Sequence, residues 1–203
     1  MASAARAKLT GTYKILAAAI LASFFTLFAV TAEAQQNHPL DQSQTYSQNE
    51  IIDSGHKFFG SVSGGLASVI ENAFKKYGEP NGYILGQEGS GAFVAGLRYG
   101  EGELYTRGYG TNKIFWQGPS FGWDFGGDGD RVMMLVYNLP TMEQMYQRFA
   151  GVHGSAYLVG GFGMTVMGNG NILVVPVRAG VGARLGINLG YVKFTRTGTW
   201  NPF

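Results

Sequence analysis

Residues 155–179 read SAYLVGGFGMTVMGNGNILVVPVRA. Two apolar runs, 155–167 and 171–179, flank Gly168-Asn169-Gly170-Asn171. An Asn-Gly pair accepts the positive φ values of a type I′ turn, so the stretch reads as a β-hairpin. Downstream, Ala183, Leu185, Ile187, Leu189 and Tyr191 alternate with Arg184, Gly186, Asn188, Gly190 and Val192. That pattern makes 183–196 a half-buried strand whose second face is rich in glycine, as in a tightly curved barrel wall. Upstream, alternation extends back to Asn81, through strands expected at 82–88, 91–99, 102–108, 112–118 and 131–138. Thr141 to Phe149 reads as a short helix crossing between strands, with Gly151 past its end.

Before Asn81 the period is helical. Ser47-Gln48-Asn49-Glu50 has the capping-box pattern. Ile52, Phe59, Val62, Leu66, Val69, Ala73 and Tyr77 then recur at three- and four-residue steps, one stripe on a long helix ended by Gly78 and Pro80. Gly64-Gly65 marks a kink or a close approach to the sheet. The fold class is therefore mainly β: a small Gly-rich β-barrel of about eight strands, mostly antiparallel. One long N-terminal helix packs on it, and a short crossover helix joins two strands. With 32 glycines, 14 Phe and 11 Tyr among 203 residues, the composition suits short strands and close backbone contacts.

The first 34 residues read as a secretory signal. Arg6, Lys8 and Lys14 precede an apolar run from Ile15 to Val30, and Ala32 and Ala34 satisfy the A-x-A rule, so cleavage is expected after Ala34. The run is short of the ~20 residues of a membrane anchor. Residues 35–46 (QQNHPLDQSQTY) read as a flexible leader, and 47–203 as a single domain. Past the signal, basic and acidic residues balance at 12 each, so nothing points to nucleic acid. There is no cysteine, which excludes disulfides, thiol catalysis and a lipoprotein anchor. The expected localisation is the periplasm, with no transmembrane segment in the mature chain. An outer-membrane barrel is the rival, but Phe203 is preceded at alternate positions by Asn201, Thr199 and Thr197, and by Pro202, which is not a membrane strand.

Catalytic chemistry is sparse. Gly118-Pro119-Ser120-Phe121-Gly122 matches the G-x-S-x-G pattern, but residues 123–130 (WDFGGDGD) read as loop and only His153 lies downstream. A serine hydrolase at Ser120 is thus a minor alternative, and no catalytic residue is assigned. Asp124, Asp128 and Asp130 lack the final glutamate of a calcium loop, and His38, His56 and His153 are far apart. No metal and no cofactor are expected. Arg98, Arg178 and Arg184 fall in half-buried strands. They either pair with Glu88, Glu101 or Glu103, or line a cavity for an anionic headgroup or sugar acid. Trp116 and Trp123, with Phe121 and Phe125, are candidates for an exposed aromatic patch or cavity wall.

Several short motifs carry a resemblance: Pro80-Asn81-Gly82-Tyr83-Ile84, Leu97-Arg98-Tyr99-Gly100-Glu101-Gly102, Trp116-Gln117-Gly118-Pro119-Ser120, Gly182-Ala183-Arg184-Leu185-Gly186 and the ending Trp200-Asn201-Pro202-Phe203. From Ile51 to Phe203 the chain resembles the alphaproteobacterial envelope integrity protein A family. The resemblance implies a periplasmic protein with a small β-barrel, tied to cell-envelope integrity and without an assigned enzymatic reaction. A looser similarity, to lipid-binding domains of the SYLF type, rests on Gly-rich strands around Pro119-Ser120 and the apolar strand from Val132 to Tyr137. The function expected is non-enzymatic binding of an envelope lipid, glycan or protein partner. The alternative is a structural subunit of a periplasmic complex, which predicts a filled barrel.

Overall fold

The computed structural model describes residues 44–60, 64–91, 97–119, 130–152, 155–179, 190–199 and 201. Two helices, α1 (Gln48–Phe59) and α2 (Gly64–Tyr77), precede ten strands: β1 (Gly82–Gly91), β2 (Leu97–Thr106), β3 (Gly110–Pro119), β4 (Asp130–Tyr137), β5 (Arg148–Gly151), β6 (Tyr157–Val159), β7 (Phe162–Met164), β8 (Met167–Asn169), β9 (Ile172–Ala179) and β10 (Tyr191–Thr195). Eight of them follow one another in the order β4-β1-β2-β3-β10-β5-β8-β9, and β9 pairs back onto β4. The result is a closed, all-antiparallel eight-stranded barrel, with β7 and β6 added beside β9.

Closure rests on the register from Val132↔Arg178 to Tyr137↔Leu173. Along β4 and β9, alternate residues face opposite cores. Val132, Met134, Val136 and Val174 point into the lumen with Ile84, Leu104, Ile114, Trp116, Phe149 and Phe194. Met133, Leu135, Tyr137, Val175 and Val177 point outward, against Ile51 of α1 and Leu66, Val69, Ile70 and Ala73 of α2. A strand buried on both faces reads as a continuous apolar run, which is why 132–137 and 172–177 lack polar alternation. The lumen is a packed core rather than a channel.

Five expectations need correction. The helix is two helices: Gly60, at φ 97°, caps α1 by donating its N–H to the His56 carbonyl. Gly65 in the first turn of α2 then lies so close to the Val159 and Gly160 carbonyls that a Cβ would sit 2.4–2.5 Å from them. The expected strand 155–167 breaks at Gly160-Gly161, both at positive φ, which turn β6 into β7 in the type I′ pattern. At 168–171 only Gly170 has positive φ, and Asn169 pairs with Ile172, so the turn is of the II′ kind with glycine first. The expected strands 91–99 and 102–108 are, among the described residues, one strand, β2. Its Gly100 and Gly102 are packing positions rather than a turn. The crossover helix shrinks to a 3₁₀ turn, Glu143–Met145, because Arg148–Gly151 is needed as the partner of β10 and β8.

Other expectations hold. Ser47 and Glu50 form a capping box. Gly78 ends α2 at φ 77°, its N–H donating to the Phe74 carbonyl. Thr45 and Tyr46, read with the leader, belong to the folded body. The Tyr46 N–H donates to the Pro80 carbonyl at 2.9 Å, and its ring meets Tyr83 edge-on.

Candidate functional site

Glu88 lies near the end of β1 and shares its inward face with Ile84 and Gly86. Three side chains from three other strands converge on its carboxylate. Arg178 of β9 donates through Nε to Oε1 at 2.9 Å and through Nη2 to Oε2 at 3.2 Å. Trp116 of β3 donates through Nε1 to Oε2 at 3.1 Å. Arg98 of β2 brings Nη1 to 4.0 Å of Oε1. The Glu88 side chain is 12% exposed, Arg98 9% and Arg178 22%, so the cluster closes one end of the lumen and reaches solvent mainly through Arg178.

Glycines make room for this arrangement. Trp116 is fully buried. A Cβ on Gly100 would lie 2.2–2.4 Å from its indole, and one on Gly86 2.7 Å from Cη2. A Cβ on Gly102 would strike the Leu85 carbonyl at 2.4 Å, and one on Gly118 the Tyr191 carbonyl at 2.1 Å. Glycine in a strand here marks the close approach of a large ring or a neighbouring backbone. Burial pushes the Glu88 carboxyl up, but the charges of Arg178 and Arg98 and the hydrogen bonds from Arg178 and Trp116 outweigh it, holding the pKa at about 2. A carboxylate so acidic has no proton to exchange near neutrality. The cluster is an ionic stitch across four strands.

Of the candidate binding residues, the structure brings Arg98, Arg178 and Trp116 together on Glu88. Trp116 belongs to the lumen core, not to an exposed aromatic patch. Arg184, Trp123, Phe121 and Phe125 lie outside the described residues, as do Ser120, His153, His38, Asp124 and Asp128. Among the described residues no group of three or more His, Asp or Glu side chains is placed to hold a metal. Sequence reasoning named Glu88 only as one of three possible partners. Its inward parity with Ile84 was the available signal.

A second feature, at the opposite end of β1 and β2, was missed. A pocket of about 300 Å³ is lined by Gln44, Asn81, Thr106, Gly108, Tyr109, Leu139 and Pro140. Asn81 is clamped there, its Nδ2 donating to the Leu139 carbonyl at 2.8 Å and its Oδ1 accepting from the Leu139 N–H at 3.1 Å. The signal was the Asn81 of the Pro80–Ile84 motif.

The geometry defines a class: a small antiparallel barrel with a side-chain-filled lumen, stitched at one end by an ion cluster and flanked by two helices. The chain belongs to the envelope integrity protein A family, whose pattern it matches over residues 44–203. It is similar to the crystal structure of a β-barrel-like, uncharacterized protein from Brucella abortus, at 61% identity and a TM-score of 0.73. The match covers 78% of this chain and 99% of that one. No curated protein matches. The family gives the chain an envelope-related role, and no enzymatic family is indicated. No helix among the described residues is long and apolar enough to cross a membrane.

Proposed function

We propose that this is an exported, non-enzymatic periplasmic protein that supports the envelope by binding a glycan or a protein partner on the outside of its barrel. The observation that moves this reading from the interior to the outside of the barrel is the filled lumen, which a structural subunit of a periplasmic complex would share. Fifteen buried apolar side chains, Trp116 and Phe149 among them, occupy the space an acyl chain would need. A barrel that holds a lipid leaves its interior open, whereas among the described residues this one is lined with packed side chains. The signal-like first 34 residues and the envelope family support export.

The test is native mass spectrometry of the protein recovered from a periplasmic fraction, before and after solvent extraction. The expected result is a mature mass beginning at Gln35, no co-purifying acyl lipid, and a glycan adduct or a crosslinked protein. A bound acyl lipid, or a mass retaining residues 1–34, would overturn it.

A second reading rests on Arg178, which is 22% exposed and spends only Nε and Nη2 on Glu88. An anionic headgroup or sugar acid would meet the part of the guanidinium that Glu88 leaves unused, beside Arg98 and Trp116 on the same carboxylate. Arg184 and Trp123, which lie outside the described residues, are further candidates on the sequence alone. Arg178→Gln abolishes a charge-dependent adduct under this reading and leaves it unchanged otherwise.

A further inference from the structure

The pocket at the β2–β3 turn has the chemistry of a site for a neutral sugar. None of its seven lining residues carries a charge. Arg107, between Thr106 and Gly108 in sequence, is engaged elsewhere: Nε donates to the Thr45 carbonyl at 2.8 Å, Nη2 meets Glu50, and the guanidinium lies over the Tyr46 ring. An anion would find no partner here. The volume, about 300 Å³, is at the small end for ligand pockets and suits one ring rather than a chain.

The polar groups are held in place but not used up. The clamp on Leu139 leaves Asn81 one Nδ2–H and one Oδ1 lone pair. Tyr109, 47% exposed, is fixed as a wall because its hydroxyl donates to the Pro140 carbonyl at 2.6 Å, leaving the phenol oxygen to accept. Thr106 Oγ1 accepts the Tyr109 N–H at 3.1 Å and donates to the Gly110 carbonyl. The Gln44 carboxamide lies over Gly108, where a Cβ would be 2.6 Å from its Oε1. Two carboxamides, hydroxyl acceptors, the Tyr109 ring and the apolar Pro140, with only the edge of the nearly buried Leu139, match a ring that carries several hydroxyls and one acetamido group. The acetamido C=O and N–H pair with carboxamides, and its methyl needs an apolar wall.

We infer that this pocket binds a neutral N-acetylated amino sugar. The inference rests on the glycan part of the function proposed above. It is tested by titrating the purified, ¹⁵N-labelled protein with millimolar N-acetylglucosamine, and in parallel with glucose and glucuronate. The expected result is saturable movement of the Gly108 and Tyr109 backbone signals and of the Asn81 and Gln44 side-chain amides. Glucose should bind several-fold more weakly, and glucuronate should leave those signals still.

Gln44→Ala and Tyr109→Ala both change exposed side chains, so the fold survives. Each should weaken binding about threefold to tenfold, the loss of one or two neutral contacts. The inference is overturned if N-acetylglucosamine moves nothing, if glucose binds equally well, or if both variants bind as the parent does. Movement confined to the Arg178 end would remove this pocket while leaving glycan binding in place.

Discussion

Gly100 faces the edge of an indole. With a Cβ 2.2 Å from Trp116 Cε2 and 2.4 Å from Nε1, even alanine must push the ring away from Glu88. The neighbours of that ring are buried apolar side chains with no slack, so Gly100→Ala should cost about 1–3 kcal/mol as an overpacked core position. Gly89, on the same sheet, has nothing within 4 Å of its would-be Cβ and is exposed, so Gly89→Ala should be neutral or slightly stabilising. Urea denaturation of the two variants checks the contrast, and equal midpoints would refute the cradle. At this scale the sequence was legible in part. Half-buried strands for Arg98 and Arg178 and the option of pairing with Glu88 are legible, whereas the pattern leaves Trp116 between an exposed patch and a cavity wall. What parity does not say is which carboxylate receives them. Glu88 and Arg178 lie on strands that are not neighbours, and only the closing of the barrel through β4 brings them together.

At the scale of elements, local chemistry was most legible where one residue decides. The Ser47–Glu50 capping box, the stop at Gly78 and the β-hairpin ahead of Ile172 were all readable. The break at Gly60 was not, because an apolar stripe from Ile52 to Tyr77 can be drawn through it. Ile51, outside that stripe, is fully buried in α1. The turn at Gly160-Gly161 was hidden for a similar reason: apolar residues flank it on both sides and look like one strand. That turn supports α2, and two substitutions test how. Gly65→Ala drives a Cβ into the Val159 and Gly160 carbonyls, which cannot rotate away as a side chain would. It should raise hydrogen exchange in α2 and in β6–β7 while the β1–β2–β3 ladder stays protected. Gly161→Ala meets no atom within 4 Å, yet forces alanine to φ 79°, and should cost about 1–2 kcal/mol with no selective effect on α2. Uniform exchange across the molecule in Gly65→Ala would show that helix and barrel open as one unit.

For the molecule as a whole, closure and filling are the properties that no local pattern encodes, since both depend on β4 meeting β9 across forty residues of chain. The Glu88 cluster works at the same scale, tying β1, β2, β3 and β9 together at one end. Its effect on stability has a definite pH dependence. The folded carboxyl titrates at about 2, whereas an unfolded glutamate titrates near ~4.3. Above the unfolded value both states are ionised and the full stabilisation is present. As pH falls below it, the unfolded chain takes up a proton that the folded protein refuses, and stability declines by up to about 1.4 kcal/mol per pH unit until the folded group also titrates. Glu88→Gln removes that dependence together with the charge that the Arg178 guanidinium holds through two hydrogen bonds. It should therefore lose about 3 kcal/mol near neutral pH, the free energy that separates the folded and unfolded titrations. Urea midpoints for the two proteins, measured from pH 7 down to pH 2, should be far apart at the top and converge through the acid range. Parallel curves would mean that the carboxylate is not what the two arginines and the indole hold. A Glu88→Gln protein as stable as the parent at pH 7 would mean that the stitch across the four strands is dispensable to the closed barrel.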